Sequence, residues 1–119
     1  MKITVEDIRA AKGADEPLVC LTAYTTSMAK ALIPHVDLLL VGDSVAMVLY
    51  GKDSTQGASM PMMVAHGLAV MRAEPDIPVI VDMPYGSYEE DDNWAMRCAH
   101  VIMDKTGCHG VKLEGGADM

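Results

Sequence analysis

Four short apolar runs restrict what this chain can fold into: PLVCLTAY at Pro17–Tyr24, DLLLVGDS at Asp37–Ser44, PVIVDMPY at Pro78–Tyr85 and GVKLEGG at Gly110–Gly116. Each is continuous rather than alternating over most of its length, the pattern of a strand covered on both faces. Helical patterns separate them. Ser59 can cap a helix that tolerates Pro61 in its first turn, with Met63, Val64, Gly67, Leu68 and Met71 on one side. A second helix is predicted from about Asn93 to Gly107 with the stripe Trp94, Cys98, Val101 and Ile102, and a shorter one from Ser27 to Ile33, closed by Pro34. The order β-α-β-α-β-α-β predicts an α/β protein with right-handed crossovers. Two architectures accept it, an open doubly wound sheet and a (β/α)8 barrel. The first strand ends in TAYTTS, without the glycine fingerprint of a dinucleotide-binding sheet, and no Walker loop is present.

A chain of 119 residues, 50% hydrophobic, suffices for one core and not for two ordinary domains. Seventeen acidic against nine basic side chains leave a net charge of −8. With no basic cluster to interrupt it, that balance disfavours nucleic acid and anionic membranes as partners. Cys20, Cys98 and Cys108 are odd in number and lack C-x-x-C spacing, so they read as reduced, buried thiols. The opening MKITVEDIRAAKGADEP has no apolar core, and no apolar run approaches the roughly 20 residues of a membrane span. A soluble, cytoplasmic protein is expected.

In both architectures the active site forms at the carboxyl ends of the strands. The second strand ends in Asp43 and Ser44, the third in Asp82, and the fourth carries Lys112 and Glu114. Three carboxylates on one rim repel and raise one another's pKa unless a cation joins them. With no His or Cys at the same strand ends, oxygen donors favour magnesium or another hard ion over zinc. Taken singly, an acid at a strand end is more often a helix cap or loop-bonding group than a ligand; its recurrence at three strand ends favours the ligand reading. Lys112 reads either as a neutralising neighbour of Glu114, two residues away on the same strand face, or as a holder of a substrate carboxylate or oxyanion. Ser44 could also cap the following turn. Thr22 and Tyr24 could line the pocket, and Tyr85 and Tyr88 could be rim residues or loop anchors. His35, His66, His100 and His109 take solvated or core roles by default.

Together, TAY, DLLLVGDSVAMVLYG, DST, VDMPYGSY and GVKLEGG resemble the ketopantoate hydroxymethyltransferase family across nearly the whole chain. The resemblance implies a (β/α)8 TIM barrel of the phosphoenolpyruvate/pyruvate type, assembled as a homodecamer. It also implies use of magnesium and 5,10-methylenetetrahydrofolate to hydroxymethylate the ketoacid 3-methyl-2-oxobutanoate in pantothenate synthesis. Carried over by position, Asp43, Asp82 and Glu114 match the family's metal acids, and Asp43, Ser44, Asp82 and Lys112 its ketoacid-binding positions. Such a barrel needs roughly 250 residues. Residues 1–119 are therefore expected to be its N-terminal half, truncated after strand four, with the general base in the missing half and no catalytic base here. Two departures stand out: Thr25 follows TAY where the family has Asp, and Pro61 and Met62 replace acids at a helix start. Two other readings remain, an inactive half-barrel or assembly module and another magnesium-dependent ketoacid enzyme of the same superfamily, such as a carbon–carbon lyase.

Overall fold

The computed structural model describes residues 2–117. Four parallel strands, Cys20–Thr22 (β1), Leu38–Val41 (β2), Val79–Asp82 (β3) and Gly110–Lys112 (β4), lie in the order β1-β2-β3-β4. Each expected run therefore carries a strand, shorter than the run itself. A sheet in which every strand is added on the same side, through crossovers of one hand, keeps its helices on one face. A doubly wound sheet would reverse direction. The sequential order thus decides for barrel-type winding, which the sequence had left open.

Among the described residues five α-helices accompany the strands: Val5–Ala10 (α1), Thr26–Leu32 (α2), Val45–Val48 (α3), Met60–Met71 (α4) and Asp92–Thr106 (α5). Ser59 caps α4 by accepting from the Met62 N–H, with Pro61 in the first turn as expected. The left-handed Gly107, at φ 74°, ends α5, a conformation that costs glycine no Cβ clash. Pro34 sits in a 3-10 turn, Ile33–His35, that closes α2. Thr25 caps α2 by accepting from the Met28 N–H at 3.1 Å, doing the capping work of an acid there. Two helices were not foreseen. One is α1, whose Thr4 and Asp7 form a reciprocal capping box, and the other is the single turn of α3. No helix among the described residues is long and apolar enough to cross a membrane.

The core lies between the sheet and its helices. Leu39, Val41, Val79 and Val81 are fully buried with Met63, Val70 and Ile102 beneath them. Val70 rather than Met71 completes the buried side of α4, and Val101, expected in the stripe of α5, is 44% exposed. Gly67 lets α4 approach closely: a Cβ there would stand 3.2 Å from Val81 Cγ2 and 2.9 Å from Thr106 Cγ2. Side chains alternate across a strand, so Leu40 and Ile80 point to the opposite face and are half-buried. β1 is exposed along its length, Cys20 included; only Cys98 and Cys108 fulfil the expectation of buried thiols. All three are unpaired.

Candidate functional site

The face turned away from the helices carries the chemistry. Asp82 follows Ile80 by two residues, so it shares that face, and the register pairs it directly with Lys112 on β4. Lys112 Nζ lies 2.8 Å from Asp82 Oδ1 and 3.4 Å from Glu114 Oε1. The neighbouring strand joins through its backbone: the Asp43 N–H donates to Asp82 Oδ2 at 3.0 Å. Gly42 makes room for this convergence, since a Cβ there would meet Ser44 Oγ at 2.9 Å, with Asp82 Oδ2 and Thr22 Cγ2 both at 3.6 Å. The strand ends thus gather Asp43, Ser44, Asp82 and Lys112.

Asp82 is only 5% exposed. Its Oδ1 has no partner at hydrogen-bonding angle, although the Lys112 ammonium is within ion-pair distance. We take the contact as a charge pair that leaves the oxygen's directed acceptor capacity unmet. Partial burial, then the charges of Asp82 and Glu114, push the Asp43 carboxyl above its usual pKa, against the lowering effects of Lys112 and the Ser44 N–H. For Lys112, burial is the largest single influence and acts downward. Contact with Asp82 and Glu114 outweighs it, so its pKa is raised and the ammonium is retained.

Glu114 stands apart. Its side chain is 71% exposed and faces Lys112. Among the described residues no three His, Cys, Asp or Glu side chains are grouped as a ready ion cage. Asp82 is joined to Asp43 through the Asp43 backbone N–H and to Glu114 through the Lys112 ammonium, which contacts both carboxylates. Magnesium is usually held by one or two carboxylates, with water and substrate oxygens completing its shell. A buried acceptor with unmet capacity beside a carboxylate of raised pKa fits such an ion.

Tyrosines complete the surroundings. Tyr24 is buried and its hydroxyl lies 2.7 Å from Ser44 Oγ. Ser44 precedes α3 but makes no side-chain cap bond, so the capping reading does not hold. The Tyr88 phenol is pushed up by burial, eased by the Glu114 N–H, and raised again by Glu89, Glu114 and Asp43, which puts it in electrical reach of the site. Tyr85 is 60% exposed. His66 and His109 are not idle surface groups: His66 bonds through both ring nitrogens, and His109 Nδ1 accepts from the Val79 N–H. Nothing in their local sequence signals this, since each partner lies at least 16 residues away.

Residues 2–119 match the sequence pattern of the ketopantoate hydroxymethyltransferase family. A 3-methyl-2-oxobutanoate hydroxymethyltransferase of Mesorhizobium japonicum is 59% identical over 119 residues, covering 100% of this chain and 41% of the relative. One of Rhodospirillum rubrum is 55% identical, covering 99% of this chain and 43% of the relative. The chain thus spans about two-fifths of the length of these curated relatives. Among solved structures, oxaloacetate acetylhydrolase superposes with a TM-score of 0.69 at 18% identity, over 93% of this chain and 39% of that one. 2,3-Dimethylmalate lyase, a member of the PEP mutase/isocitrate lyase superfamily, gives 0.65 at 22% identity, over 92% and 38%. At such identities these structures are similar in fold alone, and they agree with a partial barrel.

Proposed function

We propose, from the premise that this chain belongs to the ketopantoate hydroxymethyltransferase family, that it contributes the ketoacid- and magnesium-binding half of an enzyme that hydroxymethylates 3-methyl-2-oxobutanoate. The observation that carries the reading is the buried Asp82 carboxylate, set between the Asp43 backbone and the Lys112 ammonium at the strand tips.

Asp43 and Asp82 would hold the ion, with Glu114 on its outer side. The chemistry a bound magnesium supplies is Lewis-acid polarisation of the keto oxygen, so that negative charge arising there when the C3 proton leaves costs less. Lys112 keeps its proton and stands where it can offset that charge or the substrate carboxylate. The Ser44 hydroxyl can donate to a ligand oxygen. The Asp43 N–H, bonded to Asp82 Oδ2, keeps the two carboxylate-bearing strand ends in register. No residue of this chain is assigned as the general base, which the reading gives to the rest of the barrel together with the site for 5,10-methylenetetrahydrofolate.

The exposed edge at β1 supports completion of the barrel by further strands, because unpaired backbone groups and apolar side chains there need cover. Residues 1–119 are then one half of a single barrel domain. The same reading makes the enzyme a cytoplasmic homo-oligomer, a decamer, with support from family membership. In the test, the chain is coexpressed with the part of the Mesorhizobium japonicum relative that it does not match, and ketopantoate formation is measured with magnesium and methylenetetrahydrofolate. Activity that drops at least a hundredfold in Asp82→Ala is expected. Product formed at an unchanged rate by that variant would remove the site assignment.

A further inference from the structure

A chain of contacts outside the carboxylate cluster runs from helix α4 to Ser44. His66 Nδ1 lies 2.7 Å from the Tyr24 carbonyl oxygen, and Nε2 lies 2.8 Å from the Tyr50 hydroxyl. The Tyr50 and His66 rings meet edge to face, 5.6 Å between centroids at 86°. A carbonyl only accepts, so Nδ1 must carry a hydrogen; in the neutral ring Nε2 is then an acceptor and the Tyr50 O–H donates to it. The Tyr24 phenol, buried, reaches 2.7 Å to Ser44 Oγ. Two hydroxyls share that contact and only one hydrogen spans it. The phenol is the more acidic and the better donor, which leaves the Ser44 hydrogen free for a ligand oxygen. The bare Cα of Gly42 preserves the space Ser44 Oγ occupies, because a Cβ would stand 2.9 Å from it.

We propose that His66 and Tyr24 are positioning residues for Ser44: His66 fixes the backbone of Tyr24 from α4 in the tautomer the Tyr24 carbonyl requires, Tyr50 satisfies the other ring nitrogen, and the Tyr24 phenol directs the Ser44 hydroxyl as a donor to an oxygen of a bound α-ketoacid. The ligand class rests on the function proposed above, whereas the contact chain does not. His66 lies 42 residues from Tyr24, and Tyr24 lies 20 from Ser44. The device therefore ties α4, β1 and β2 into one unit at the mouth of the sheet.

The test combines two readouts on the 119-residue chain coexpressed with the part of the Mesorhizobium japonicum relative that it does not match. Imidazole nitrogen NMR is expected to find the Nδ1–H tautomer at His66, and side-chain couplings a single Ser44 rotamer. His66→Ala and Tyr24→Phe should each average that rotamer and weaken calorimetric binding of 3-methyl-2-oxobutanoate in the presence of magnesium by about tenfold, the effect of one lost hydrogen bond. The double variant should be no weaker than either single one, because both act on the same hydroxyl. His66→Gln, whose amide can donate to the Tyr24 carbonyl and accept from Tyr50, should restore rotamer and affinity. Should His66→Ala fail to fold, Tyr24→Phe, which keeps the carbonyl that His66 contacts, must still average the Ser44 rotamer. An Nε2–H tautomer, or a Ser44 rotamer unmoved by Tyr24→Phe, overturns the proposal. If the unaltered chain, completed in this way, binds no ketoacid, the ligand reading fails while tautomer and rotamer still decide the positioning claim.

Discussion

Asp82 and Lys112 are register partners on adjacent parallel strands, and their charges meet at 2.8 Å on the sheet face turned away from the helices. Thirty residues of sequence separate them. The strand pairing alone sets them opposite one another.

Lys112→Met should therefore destabilise the chain, by about 1–3 kcal/mol, because it strands a buried carboxylate, though the half-exposed lysine moderates the loss. Urea denaturation of the two single variants and of Lys112→Met/Asp82→Asn gives the coupling. The double variant should cost less than the sum of the singles. Strict additivity would mean that the pair carries no interaction energy.

Gly67→Ala should also destabilise, although alanine is the better helix former by about 1 kcal/mol. Its Cβ would meet Thr106 Cγ2 at 2.9 Å and Val81 Cγ2 at 3.2 Å between α4, α5 and the sheet, and overpacking of this kind costs about 1–3 kcal/mol. Thr106→Ser removes the methyl that clashes and keeps the hydroxyl bonded to the Ile102 carbonyl. Thermal midpoints should accordingly recover in Gly67→Ala/Thr106→Ser, and no recovery would refute the steric account.

Asp43 should make the folded state less stable as pH rises. Its folded pKa is raised by burial and by Asp82 and Glu114, so the folded chain holds a proton that the unfolded chain has released above its ordinary value near 3.8. Stability from this group is fully present below that value and is lost as pH rises through the folded pKa. Asp43→Asn is expected to be more stable than the unaltered chain at pH 7, with the gap closing toward pH 4. Added magnesium should narrow the gap at pH 7 by favouring the carboxylate. Equal stabilities at pH 7 would contradict the raised pKa.

His109 works in the opposite direction. Burial lowers its pKa from 6.5, and its Nδ1 accepts the Val79 N–H at 3.0 Å, which a protonated ring cannot do. Below 6.5 the unfolded chain takes up a proton first, so this contribution is complete above that pH and fades as pH falls toward the folded pKa. His109→Gln should flatten the stability profile as pH falls below 6.5, as followed by chemical denaturation. An unaltered slope would remove His109 as its source.

The strands and main helices were legible because burial on both faces leaves continuous apolar runs, and helix ends need Ser59, Pro61 and Gly107 at fixed offsets. Helix α1 was readable too, from the Thr4 and Asp7 spacing of its capping box, but its weak apolar pattern hid it; none of its residues is buried. Val101 was misplaced because a helical stripe fixes a face only to within one position, and the side that packing buried carries Cys98, Ile102 and Thr106.

The amino-acid sequence by itself determined the alternation of buried strands and amphipathic helices, the acidic balance and the residues at each strand tip, since these depend on local periodicity and composition. Only the tertiary structure decided that the strands are added in one direction, that Asp82 faces Lys112 while Glu114 stays outside, and that His66 reaches Tyr24. Those relationships depend on register and crossover hand, which join residues 20 to 42 positions apart and leave no mark on the neighbours of either partner.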